Sequence, residues 1–156
     1  MIRILLFICL IFLPIKANAL IEVDITRGNL NPLPIAVSPL SIDENSKKNF
    51  EKILKKKNIG SEIAIVVENN LKASGLFNPL NKDAFLQAPD IANLKPRFED
   101  WNLIKAQALI TGKVNFVNNK LRVEFRLWDV LAGKEMMALA FTTVPSNWRR
   151  VGHIIT

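Results

Sequence analysis

The 156-residue chain predicts an α/β fold: a mixed β-sheet with helices packed on it in two layers, ending in a three-stranded meander and a truncated helix. Three observations predict it. Apolar and polar residues alternate with a period of two over Leu20–Thr26 and again over Leu121–Trp128, the pattern of half-buried strands. Between them, Ile63, Val66, Val67 and Leu71 recur at i, i+3, i+4 and i+8, one face of a helix. Asn118-Asn119 divides two strand-like runs, and asparagine tolerates the positive φ that a tight hairpin needs.

The first nineteen residues read as an export leader. Arg3 gives a positive start, Ile4–Leu13 is apolar and uncharged, Pro14 breaks the run, and Ala17-Asn18-Ala19 is a small-residue cleavage site, with scission expected between Ala19 and Leu20. The run falls short of the roughly 20 apolar residues needed to cross a bilayer. Cys9 lies inside it rather than at its end, which argues against acylation. Cleavage removes Arg3 and Lys16 and no acid, so the formal net charge falls from +7 to +5. Residues 20–156 are then a length suited to one domain. They contain no cysteine, so the core is expected to hold by burial without a disulfide.

Element by element, Leu20–Thr26 is a strand with Ile21, Val23 and Ile25 on one side and Glu22, Asp24 and Thr26 on the other. Arg27-Gly28-Asn29 ends it, and Pro32 and Pro34 mark an extended connector. Ile35–Leu40 reads as an interior strand covered on both faces. Ser61–Ser74 is a helix with Ser61 as N-cap, Glu62 at the positive dipole end and Gly75 at the left-handed position past its end. Leu76 and Phe77 are expected to pack back. Residues 81–96 look irregular, anchored by Phe85 and Leu86. Phe98, Trp101 and Ile104 then share a short helix that feeds a strand over Ala108–Phe116. The return strand is Leu121–Trp128, with Leu121, Val123, Phe125 and Leu127 toward the core, and Met136–Val144 follows a turn at Gly133. Pro145-Ser146 opens a last helix whose face is Trp148, Val151, Ile154 and Ile155; it runs to Thr156 uncapped, as if cut short.

Six lysines fall between Lys47 and Lys57: Lys47, Lys48, Lys52, Lys55, Lys56 and Lys57. With Phe50, Ile53 and Leu54 among them they suggest a short amphipathic helix with a solvated lysine face. Attraction to an anionic surface is the other reading, and export argues against nucleic acid. The chemistry of catalysis is sparse. His153 is the only histidine, expected on the polar face of the last helix, and one histidine without cysteine builds no common zinc site. Glu99 and Asp100 suit the start of a helix better than acid/base work. Trp101, Trp128 and Trp148 each border an apolar face and read as core, and Arg149-Arg150 as solvated surface. No catalytic, metal or cofactor residues are assigned. A small exported hydrolase around His153, or an anion- or ligand-binding domain using the lysines, remain as other function classes.

Several segments in order carry a family resemblance: Thr26-Arg27-Gly28, Pro34–Val37, Leu71–Phe77, Asp100-Trp101, Leu109–Val114, Phe125–Val130, Ala132–Lys134 and Asn147–Ile155. Together they resemble the TolB amino-terminal domain of the Tol-Pal system in Gram-negative bacteria. The resemblance implies a non-enzymatic adaptor in the periplasm, exported by the general secretory route and peripheral to membranes. It further implies a six-bladed propeller following the α/β domain, absent from this sequence, through which Pal, the peptidoglycan-associated lipoprotein, is bound. It also implies that the mature amino terminus engages the carboxy-terminal domain of the inner-membrane protein TolA. By match, that segment is Leu20, Ile21, Glu22, Val23, Asp24, Ile25, Thr26, Arg27 and Gly28. An alternating strand at a chain end can add to an exposed sheet edge. The same residues could equally form a strand of the domain's own sheet.

Overall fold

The computed structural model describes residues 31–156. The expected leader, the Ala19–Leu20 cleavage site and the ribbon Leu20–Gly28 lie outside the described residues. Among the described residues the sheet has six strands: β1 (Leu33–Val37), β2 (Ser41–Ile42), β3 (Phe77–Pro79), β4 (Ala108–Val117), β5 (Lys120–Asp129) and β6 (Lys134–Thr143). Their order is β3-β1-β4-β5-β6, with β2 pairing on β4 beyond the end of β1. β1 is parallel to β3 and β4, and β2 is parallel to β4. β4, β5 and β6 form the antiparallel meander, so the sheet is mixed as expected. Helices α1 (Glu44–Leu54), α2 (Ile59–Ala73), α3 (Pro89–Leu94), α4 (Phe98–Leu103) and α5 (Trp148–Ile155) pack on it.

Period-two alternation sorts the core into two clusters. Ile35 and Val37 of β1 join Phe50, Ile63, Val67 and Val151 beneath α1, α2 and α5. Each such side chain contributes roughly 1.5–3 kcal/mol by leaving water. Ala36, between them, faces the other way. It lies in register with Leu109, and Leu109 with Trp128, forming a row across three strands on the second face. Trp101 of α4 belongs to this cluster, with Phe85 edge-on at 5.0 Å. β1 is thus buried on both faces, as its unbroken apolar run requires.

The helix expected from Ser61 begins earlier, at Ile59, because Asn58 takes the capping role: its side-chain oxygen accepts the Ser61 N–H at 3.1 Å. At the other end Gly75 has φ +71° and its N–H donates to the Lys72 carbonyl at 3.2 Å. The next Schellman bond is relayed. Leu76 N–H donates to Ser74 Oγ at 3.2 Å, and Ser74 Oγ donates to the Leu71 carbonyl at 2.6 Å. Asn118 (φ 49°) and Asn119 (φ 60°) supply the two left-handed residues of a type I′ hairpin between β4 and β5.

Other expectations need correction. Leu76 is more than half exposed and does not pack back; Phe77 does, opening β3, a strand too short to show a period. Residues 81–96 are not wholly irregular: a 3₁₀ turn spans Lys82–Ala84, and Pro89 starts α3. Phe85 anchors on Trp101, but Leu86 is exposed. In α5, Trp148, Val151 and Ile155 pack inward while Ile154 is half exposed in an open groove that it lines with Phe141 and Thr143 of β6.

Candidate partner-binding surface

The family resemblance implies partner binding at Leu20–Gly28, which lies outside the described residues; the structure describes the chain from Asn31 on, just after it. β1 starts at Leu33, whose N–H donates to the Leu76 carbonyl at 2.9 Å. Gln107 N–H donates to the Pro34 carbonyl, also at 2.9 Å, on the other side. The chain therefore enters the sheet at an interior strand, between the end of α2 and the lead into β4. Asn31 and Pro32 just ahead of it are exposed. Five chain steps separate Gly28 from Leu33, at most about 18 Å of extended backbone.

The lysine segment is helical only to Leu54: α1 is the expected amphipathic helix, with Phe50 fully buried and Lys48 and Lys52 exposed, while Lys55, the left-handed cap (φ 53°), Lys56 and Lys57 fall past its end. Its cations are partly committed. Lys47 reaches Glu44 at 3.4 Å; Lys56 pairs with Glu62 at 3.0 Å and lies 5.2 Å from the Trp148 ring centre. The helix is tied down at its start. Asp43 accepts the Ser46 N–H at 2.9 Å and the Ser46 hydroxyl at 2.6 Å, while Ser46 Oγ accepts the Phe116 N–H at 2.7 Å. The Ser46 hydroxyl and N–H hold the Asp43 carboxyl below the usual carboxylate range.

On the second face of the meander, Lys113, Arg122 and Arg126 lie among Glu124 and Glu135. Glu124 takes Lys113 at 3.3 Å and Arg122 at 2.9 Å; Arg126 reaches Glu135 at 3.2 Å. Burial pushes the Glu124 carboxyl up, but its hydrogen bonds to Arg122 and Lys113, with their charges, outweigh that and lower it.

His153 is exposed on α5, and its Nδ1 lies 2.9 Å from the Asn70 amide. That amide also reaches Thr156 Oγ1 at 2.9 Å. The hydrolase reading required a polar cleft around His153 with a serine or carboxylate nearby; its described hydrogen-bonding neighbours are Asn70 and Thr156 instead. Glu99 and Asp100 lie in the first turn of α4, and Asp100 pairs with Arg97 at 2.6 Å and accepts from buried Gln87 at 3.1 Å, a structural clamp. All three tryptophans are buried, as expected. Among the described residues no cluster of three metal-ligating side chains occurs, and no helix is long and apolar enough to cross a membrane.

Sequence reasoning passed over Ser46, Gln87 and Thr111, buried polar residues with no pattern around them. It also passed over the outer edge of β6, although Met136–Val144 carries no charge, a signal that was there to find.

The described residues define a small α/β domain, a mixed sheet with helices packed on it and an open edge at β6. Comparison with known proteins gives its kinship: the chain belongs to the TolB amino-terminal domain family, which matches residues 21–136. It is 83% identical over 151 residues to the Tol-Pal system protein TolB of Pelagibacter ubique (strain HTCC1062), covering 97% of this chain and 34% of that protein. The chain thus spans about a third of the length of that curated relative. Among solved structures it is similar to TolB from Acinetobacter baumannii, with TM-score 0.58 and 19% identity over 80% of this chain and 26% of that one. It is similar also to a PelC dodecamer from Paraburkholderia phytofirmans, with TM-score 0.50 and 14% identity over 80% of this chain and 86% of that one. At those identities the structures show a shared fold and nothing further.

Proposed function

We propose that this chain is the amino-terminal module of a non-enzymatic periplasmic adaptor in a Tol-Pal system, linking inner-membrane TolA to outer-membrane Pal and so supporting envelope integrity and cell division. The observation that carries the reading is the 83% identity, over nearly the whole chain, to a Tol-Pal system protein. In this reading the leader ends at Ala19, and the ribbon Leu20–Gly28 docks on the TolA carboxy-terminal domain as an added strand. Pal contacts belong to the propeller region of longer relatives.

The described root of the ribbon is compatible with this role. β1 is paired on both sides, so its own edges are taken. Ordering about eight ribbon residues costs ~1–2 kcal/mol each. Docking must offset ~8–16 kcal/mol, which points to modest, reversible affinity. The reading is tested by mass spectrometry of the exported product together with titration against the TolA carboxy-terminal domain. A chain beginning at Leu20 that binds reversibly is expected. A retained leader, or no binding by the processed chain, would overturn it.

A further inference from the structure

β6 is the outermost strand of the meander, and among the described residues nothing pairs with its free edge. Native sheets blunt such edges with charge, proline, bulges or brevity. β6 is ten residues long. Its register irregularity falls opposite Leu127/Trp128, near its start. From Met136 to Val144 it carries neither charge nor proline. The unpaired backbone beyond the irregularity is a regular template for another strand.

The two faces beside this edge differ. On the core face, Met137, Leu139 and Phe141 stand opposite Leu127, Phe125 and Val123. Met137 and Leu139 are each 47% exposed, and Ile154 of α5 49%, so among the described residues the apolar layer stops at β6 without a cover. A groove of about 200 Å³ between Phe141 and Ile154 continues it, with Arg150 at its rim. On the other face, Ala138 and Ala140 stand opposite Arg126 and Glu124. These small residues leave a hollow of about 180 Å³ floored by Arg122, Glu124 and Arg126. Three cations share two carboxylates in this row.

We propose that the outer edge of β6 is a docking site for an extended strand of another protein that alternates apolar and acidic residues. Its apolar residues extend the row Met137, Leu139, Phe141. Its carboxylates reach over Ala138 and Thr142 to the guanidinium groups of Arg126 and Arg122, which stand opposite them. Strands lie about 4.8 Å apart, so a carboxylate on the added strand starts two spacings from β5, within the combined reach of glutamate and arginine side chains. A second copy of this chain fits less well, because edge-to-edge pairing with like faces together sets one arginine row against another. The β6 edge is built from residues other than 20–28, and its docking is tested independently of any docking on TolA.

The probe is a capped eight-residue peptide alternating isoleucine or valine with glutamate, added to the full chain and followed by amide hydrogen exchange. Slowed exchange along Met137–Thr143 is expected, with affinity weakened at least tenfold by Ala140→Glu and by Ala138→Glu, both at exposed positions, with an unchanged far-UV circular dichroism spectrum of each variant as the check on folding. A counterpart peptide with lysine for glutamate should bind at least tenfold more weakly. Equal binding of the lysine peptide overturns the proposal, as does no protection up to about 1 mM peptide. Concentration-dependent self-association that Ala140→Glu abolishes, with no competition from the peptide, overturns it in favour of a second copy.

Discussion

The indole N–H of Trp128 donates to the hydroxyl of Thr111 at 2.9 Å, a bond buried between β4 and β5. Thr111 is fully buried, and Trp128 forms part of the row that runs from Ala36 through Leu109. The bond gives the Trp128 indole N–H an acceptor within the largely apolar cluster under α4. Thr111→Val keeps the shape and leaves the indole N–H without its acceptor. The variant is expected to lose about 1–3 kcal/mol. Urea unfolding checks this: the midpoint should fall with no change in slope.

Gly60 in the first turn of α2 and Gly75 just past its end are expected to respond differently. A Cβ at Gly60 would overlap the Leu40 carbonyl oxygen, where the loop after β1 meets the helix. Gly60→Ala must displace backbone and should cost several kcal/mol, about 3 or more, as overpacking into an unyielding neighbour does. Gly75 has φ +71° and open space around its Cβ direction. Gly75→Ala therefore meets only the left-handed penalty, about 1–2 kcal/mol. Thermal melts of the two variants should rank in that order.

Asp43 caps α1, and Asp43→Ala is expected to cost about 1 kcal/mol at neutral pH, the usual value of such a cap. The cap is also pH-dependent. Its hydrogen bonds with Ser46 hold the folded-state pKa below the ordinary aspartate value. The stability this supplies is complete above the unfolded value and fades as pH falls through the folded one. The gap in stability between wild type and variant should be flat from pH 7 to about 5 and shrink below about 4. A gap that widened on acidification would contradict the assignment.

Much of the fold was legible in the sequence because it rests on periodicity. The meander alternates with a period of two, Asn118-Asn119 marks its first turn, and α2 shows one apolar face; all three appear where expected. Where several residues can do one job, local signals misled: Ser61 looked like the cap, yet Asn58 takes that place. β3 is three residues and β2 two, too short for any period, and both exist because β1 and β4 offer them partners. Leu86 and Ile154 are apolar by composition but exposed by geometry, which sequence alone cannot distinguish. The candidate site was read from the ribbon's alternation and the family resemblance. The β6 edge went unread because strand order, which makes it an edge, depends on how distant segments pair.

Within the ribbon, Ile21, Val23 and Ile25 alternate with Glu22, Asp24 and Thr26. If it docks as an added strand, replacing the three apolar residues with serine should weaken TolA binding at least tenfold, since each buried β-branched side chain contributes roughly 1.5–3 kcal/mol. The chain's melting temperature should not change. Surface plasmon resonance against the TolA carboxy-terminal domain reads the first quantity and circular dichroism the second.

The most direct test is calorimetric titration of the TolA carboxy-terminal domain with the processed chain and with one lacking residues 20–28. The account predicts measurable binding heat for the first, none for the second, and equal melting temperatures for both. Undiminished affinity after the deletion would contradict it.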